Sequence, residues 1–158
     1  MIKQSLGVLC LFLCFIACKT HSPMSANHAF RLKPGQDLKQ SIDSFVKVNQ
    51  LHAGWIATCV GSLTEYNIRF ANQEKGYSDK GHFEIVSLVG TVSVNGSHIH
   101  LCIADSTGKT IGGHLLDGCK IYTTAEIVIT ESKEFIFTRE KDGSTPWEEL
   151  QVQKPGSK

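Results

Sequence analysis

The spacing of apolar positions changes period once along the chain, and the change separates a single helix from a long series of strands. Leu38, Ile42, Phe45 and Val46 recur at i, i+4, i+7 and i+8. That spacing predicts one apolar stripe on a helix capped by Asp37 and running to about Asn49. Ahead of it, His28 to Leu32 reads as a short strand that Lys33-Pro34-Gly35 ends. After residue 50, β-rich runs follow at Trp55–Val60, Tyr66–Ala71, Phe83–Val92, His98–Ala104, Ile121–Thr130 and Phe135–Thr138, with turn residues between them. Asn95-Gly96 marks a tight hairpin that joins the Phe83 run to the His98 run antiparallel. The polar stretch Asn72–Lys80 reads as an exposed loop. The expected architecture is α+β, with one main helix laid on an antiparallel sheet.

The first 23 residues stand outside this pattern. Leu6–Ala17 is apolar and flanked by Lys3 and Lys19, the layout of a secretory leader and too short to span a bilayer comfortably. Cys18 loosely matches a lipoprotein cleavage site, and Met24 offers an alternative start that would delete the leader. Use of the leader implies a secreted or membrane-anchored protein; a start at Met24 implies a cytoplasmic one. Three cysteines remain beyond it, Cys59, Cys102 and Cys119, flanked by apolar or strand-forming residues. An odd set without a disulfide framework reads as buried thiols and suits a reducing compartment. About 135 residues are left, enough for one domain. Residues 27–140 are assigned to that domain and 141–158 to a polar C-terminal tail, in which Trp147 and Leu150 are expected to dock on the body.

Charge narrows the function classes. Sixteen Lys and Arg against 15 Asp and Glu leave no basic excess for a phosphate backbone, so direct nucleic-acid binding is not expected. No Ser-His-Asp spacing or dinucleotide glycine pattern occurs. The Gly108-Lys109-Thr110 triplet lacks the earlier glycine of a P-loop and reads as a hairpin turn.

Histidine is the informative residue, with seven copies. His98 and His100 lie two apart on a strand, so both rings leave one face while Ile99, Leu101 and Ile103 leave the other. After thirteen intervening residues comes His114, preceded by Ile111-Gly112-Gly113. The glycines would let the backbone pass close to a neighbouring strand and aim the third ring at the pair. Three imidazoles with an open fourth position suit Zn²⁺. Cys102 shares the face of the pair and reads as a buried thiol before a ligand. Glu126, a carboxylate inside an apolar strand, is either an edge or subunit-contact charge, or a partner, fourth ligand or general base for the site. His82 and Glu84 share a solvated or interface face, His52 and Trp55 read as packing residues, and His21 and His28 as exposed.

Several of these segments together resemble the PPC domain (plants and prokaryotes conserved) over about Phe30 to Ile129. The matching pieces are Arg31-Leu32-Lys33-Pro34-Gly35, Gly81-His82-Phe83-Glu84-Ile85-Val86-Ser87-Leu88-Val89-Gly90, His98-Ile99-His100-Leu101, Gly112-Gly113-His114-Leu115 and Thr124-Ala125-Glu126. The resemblance implies a strongly bent antiparallel sheet, similar in fold to acetolactate decarboxylase, and assembly as a homotrimer. It implies zinc on His98, His100 and His114, as in prokaryotic-type members. The Arg-Gly-Arg-Pro hook by which plant members grip DNA is missing here. Two functions follow as expectations: a zinc-dependent lyase or hydrolase acting on a small carbonyl or ester substrate, with Glu126 moving a proton, or a non-catalytic trimer that binds protein partners.

Overall fold

The computed structural model describes residues 24–156; the leader, with His21 and Cys18, lies outside the described residues. One helix and eight strands follow in the order β1 (Ser25–Leu32), α1 (Leu38–Val48), β2 (Gly54–Arg69), β3 (Tyr77–Ser93), β4 (Gly96–Ala104), β5 (Thr110–Leu115), β6 (Lys120–Ser132), β7 (Ile136–Glu140) and β8 (Glu149–Gln153). The first six strands form one antiparallel sheet in the order β1-β6-β2-β3-β4-β5, and β7 and β8 form a separate hairpin. This is the α+β arrangement the periodicity predicts.

The sheet bends because β2 is long and its pairing shifts. One edge of β2 runs along β3, while the other pairs with β6 from Gly54 to Glu65 and then with β5 at Ile68 and Arg69. Register shifts at Ile56/Thr58, Gly61/Leu63 and Leu63/Glu65 absorb the curvature. The change of partner closes β2, β3, β4 and β5 into a ring. Gly113 makes the closure possible: a Cβ there would stand 2.5 Å from the Arg69 carbonyl oxygen and 2.9 Å from Ile68 Cγ2. Only a residue without a side chain lets β5 approach β2 this closely.

Alternation sorts the faces. Ile99, Leu101 and Ile103 of β4 point into the core with Ile68 and Leu115, while His98 and His100 face outward. Helix α1 buries Leu38, Ile42 and Val46 against the sheet, contacting β3 and β6. Asp37 caps it as the sequence predicts, accepting from Gln40 N at 3.1 Å. Its second oxygen accepts from Gly118 N at 2.7 Å and lies 3.4 Å from Lys120 Nζ, tying the helix start to the β5–β6 turn.

Several boundaries differ from the sequence reading, each for a physical reason. Trp55–Val60 and Tyr66–Ala71 are parts of one strand, because Gly61, Ser62 and the polar residues after them are carried through the bend by ladder partners on both sides. Strand β3 starts at Tyr77 and takes in half of the predicted loop, since Tyr77–Lys80 pairs with Glu65–Ile68. The hairpin turn falls on Val94–Asn95, with Gly96 already paired and carrying the positive φ of 129°. The Asp105 turn is as expected: its Oδ1 accepts from Thr107 N, Thr107 Oγ1 and Lys109 N.

The C-terminal tail is not unstructured, because Glu149–Gln153 pairs with Ile136–Glu140. Trp147 does rest on the body, with the Arg69 guanidinium 5.2 Å from its ring centroid, though it stays 57% exposed. Cys59 and Cys119 are buried free thiols, pushed up to about 12 and about 11 by burial. Cys102 is only half-buried. His28 is not free on the surface; its Nε2 lies 3.1 Å from Oε2 of the buried Glu131. His52 and Trp55 are exposed rather than packed.

Candidate metal centre

The ring closure brings the three predicted histidines to one place. In the β4–β5 register His100 stands opposite His114, and His114 stands opposite Arg69 of β2. His98 is two residues back on the same outward face of β4. The three rings converge with centroids 5.0 Å apart for His98–His100 and His98–His114 and 5.8 Å apart for His100–His114. One nitrogen from each lies within 4.8 Å of the others, and no other His, Cys, Asp or Glu among the described residues joins them.

These residues fit a metal. Nε2 of His98 and Nε2 of His100 are 3.2 Å apart. Two nitrogens bound tetrahedrally at about 2.0–2.1 Å from a zinc ion would be separated by roughly 3.3 Å. His114 Nδ1 is buried with no hydrogen-bond partner. A buried polar atom left in that condition costs about 1–3 kcal/mol, and an occupant of the junction would supply the missing partner. Burial first, then the nearby charges of His98 and Arg69, pushes His114 down to about 4. His98 is likewise lowered, by burial, Arg139 and His100. Both rings are therefore neutral at pH 7, the form that binds metal.

Two openings reach the cluster. A shallow one beside β3 is lined by Val89, Gly90 and Thr91 with His98 and His100. A larger cleft of about 610 Å³ has His98 and His114 at its floor and Arg69, Arg139, Lys141, Trp147 and Glu149 among its walls. The β7–β8 hairpin and its loop provide most of these wall residues. Treating residues 141–158 as a polar tail hid them, although the alternation in Glu149-Leu150-Gln151-Val152-Gln153 is a strand signal.

Glu126 takes no part in this cluster within the chain. It is exposed on β6 between Arg31 of β1 and Val60 of β2, and it is not among the residues lining either opening. Cys102, two residues beyond His100, is likewise outside the group of converging ligands.

A bent antiparallel sheet carrying one helix, with an H-x-H strand and a Gly-Gly-His strand meeting at ring closure, defines a class of domain with a three-imidazole cluster. Residues 20–133 match the Plants and Prokaryotes Conserved (PCC) domain, and the chain belongs to that family. It is 39% identical to a hypothetical protein from Salmonella cholerae-suis whose structure superposes with a TM-score of 0.82, covering 85% of this chain and 98% of that one. A metal-containing protein from Archaeoglobus fulgidus is 25% identical with a TM-score of 0.68, covering 80% and 93%. Bifunctional protein GlmU of Synechococcus sp. (strain JA-3-3Ab) is 44% identical over 127 residues, which are 80% of this chain and 20% of that protein. The chain thus spans about a fifth of the length of the curated relatives it matches.

Proposed function

We propose that the protein is a zinc-binding homotrimer whose three-histidine centre acts on a small molecule entering the cleft, in a lyase or hydrolase reaction. The observation that carries the metal reading is the convergence of His98, His100 and His114 with an unpartnered, buried ring nitrogen among them. The similarity to a metal-containing archaeal protein supports it. A zinc ion held there supplies a Lewis acid and lowers the pKa of a coordinated water. The chain's own contribution is to keep two of the imidazoles neutral, hold all three at a fixed spacing, and leave one side open to the cleft.

The trimer reading rests on the outer face of the sheet. Trp55, Val60, Val86 and Val89 are all exposed there, between 39% and 57%. Val89 stands opposite His100 across the β3–β4 ladder, so this apolar face adjoins the metal centre. A patch of this kind is more often an interface than bare surface. Glu126, paired directly with Val60, lies on the same face. A proton-transfer role for Glu126 then requires a neighbouring subunit to carry it to the site. The same apolar face favours the second reading, a non-catalytic trimer that binds protein partners while its metal is structural.

The test is zinc content after dialysis, with subunit mass in solution. The proposal expects one zinc per chain, lost in the His98→Ala/His100→Ala double variant, and a trimer. Substoichiometric zinc that the double variant leaves unchanged would reject the metal centre. Full zinc occupancy without turnover of esters or keto acids would favour the interaction module.

A further inference from the structure

The cleft beside the three histidines carries two guanidinium groups that form no close ion pair among the described residues. Arg139 of β7 gives one hydrogen bond, from Nη2 to Thr91 Oγ1 at 2.7 Å. Arg69, at the end of β2, gives one from Nη1 to the Gln73 carbonyl at 3.3 Å, with its guanidinium carbon 5.2 Å from the Trp147 ring centroid. Among the described residues no carboxylate is within ion-pair distance of either. Glu74, Glu148 and Glu149 also line the cleft, and Glu148 and Glu149 act on Arg139 from beyond ion-pair distance, while Glu149 Oε1 accepts from Thr145 Oγ1 at 2.6 Å. An arginine presents five donors in a planar fork, so each of these has most of its donors unused inside a partly enclosed space.

The charges that act on the histidine rings are mainly cationic. Arg69 and Arg139 both act on His98, with Glu149 the opposing carboxylate, and the permanently charged groups acting on His114 are Arg69 and Lys39. A divalent ion on the three imidazoles would add to this positive field. Fixed cations beside an open metal position favour an anionic ligand that bridges the two.

We propose that the cleft takes a small molecule bearing an oxyanion, a carboxylate or phosphate, which Arg139 and Arg69 grip beneath Trp147 while the rest of the molecule reaches the metal centre. This rests on the metal reading for its second half only. Arg139 and Trp147 lie beyond residue 133, where the family match ends, whereas Arg69 lies within it.

The test is calorimetric titration of the full chain, zinc-loaded and metal-free, with malonate, inorganic phosphate and neutral malonamide. Expected is one site per chain for at least one oxyanion and none for malonamide. Arg139→Gln and Arg69→Gln should each weaken the oxyanion by about ten-fold or more, the loss of a charge-assisted hydrogen bond. Arg139→Lys, which keeps the charge, should retain part of the affinity and guards against a misfolded variant. Binding of malonate alone assigns a carboxylate ligand, and binding of phosphate alone a phosphoryl one. No oxyanion binding in either form, or binding indifferent to both arginines, overturns the proposal. Failure to load zinc rejects the metal centre separately, because the arginine-dependent titration can still be read on the metal-free protein.

Discussion

Replacing Gly113 with alanine is the sharpest way to ask whether ring closure builds the metal centre. The added Cβ would sit 2.5 Å from the Arg69 carbonyl oxygen, 2.9 Å from Ile68 Cγ2 and 3.3 Å from the Arg69 carbonyl carbon. Two of these three atoms are backbone, which cannot rotate away, so β5 must move off β2 by roughly 0.5–1 Å to reach ordinary contact. His114 is the next residue and pairs with Arg69, so its ring moves with the strand. Overpacking of this kind costs about 1–3 kcal/mol. For a domain of this size the melting midpoint should fall by roughly 3–15 °C. Displacing one of three ligands should weaken zinc by about ten-fold or more, as measured by competition with a chelating dye. Gly112→Ala is the control, because its Cβ would meet Leu101 O at 3.0 Å and Cys102 Cβ at 3.3 Å, a milder crowding on the β4 side. A Gly113→Ala protein that is destabilised yet binds zinc as tightly as the parent would refute the link between closure and the site.

Three further outcomes can be measured. Asp37→Ala removes the helix cap and the contacts to Gly118 and Lys120 together, so chemical denaturation should show a loss of about 1–2 kcal/mol. Burial pushes the Glu131 carboxyl up, but Lys133 and His28 outweigh it and hold it below its ordinary 4.5. Its contribution to stability is therefore present above that value and lost as pH falls through the depressed one. The gap in melting midpoint between parent and Glu131→Gln should be widest near pH 7 and narrow as pH falls below 4.5; a gap that widens in acid contradicts the assignment. With a thiol reagent at pH 8, the half-buried Cys102 should react while Cys59 and Cys119 stay protected until unfolding, which mass spectrometry of the labelled peptides resolves.

Local patterning made the helix and the metal ligands legible. The stripe of Leu38, Ile42, Phe45 and Val46 has only one helical reading, and the alternation of His98 and His100 with Ile99, Leu101 and Ile103 sets which face turns outward. The pair Gly112-Gly113 signalled a close strand approach. Its partner, the last turn of β2, was hidden, because a shift from β6 to β5 is a long-range pairing that no local window contains. The same limit split β2 in two and left Tyr77–Lys80 as loop, since polar residues in a strand are held by their ladder partners and not by propensity. The cleft was not legible: Trp147 reads only as a residue docked on the body, and Arg139 and Glu149 are unremarkable polar residues until the β7–β8 hairpin brings them to the cleft that His98 and His114 line. Glu126 shows the converse. A carboxylate in an apolar strand reads either as a subunit-contact charge or as a site residue; within the chain it lies on the outer face of β6, with Arg31 and Val60 as ladder partners and outside the three-histidine group.

Crystals of the native protein, measured above and below the zinc absorption edge, address the metal centre most directly. The account predicts a single strong anomalous peak bonded to one nitrogen each of His98, His100 and His114, with a coordination position facing the Arg69–Arg139 cleft. Well-ordered rings hydrogen-bonded only to one another and to water, with no peak between them in protein supplied with zinc, would contradict it.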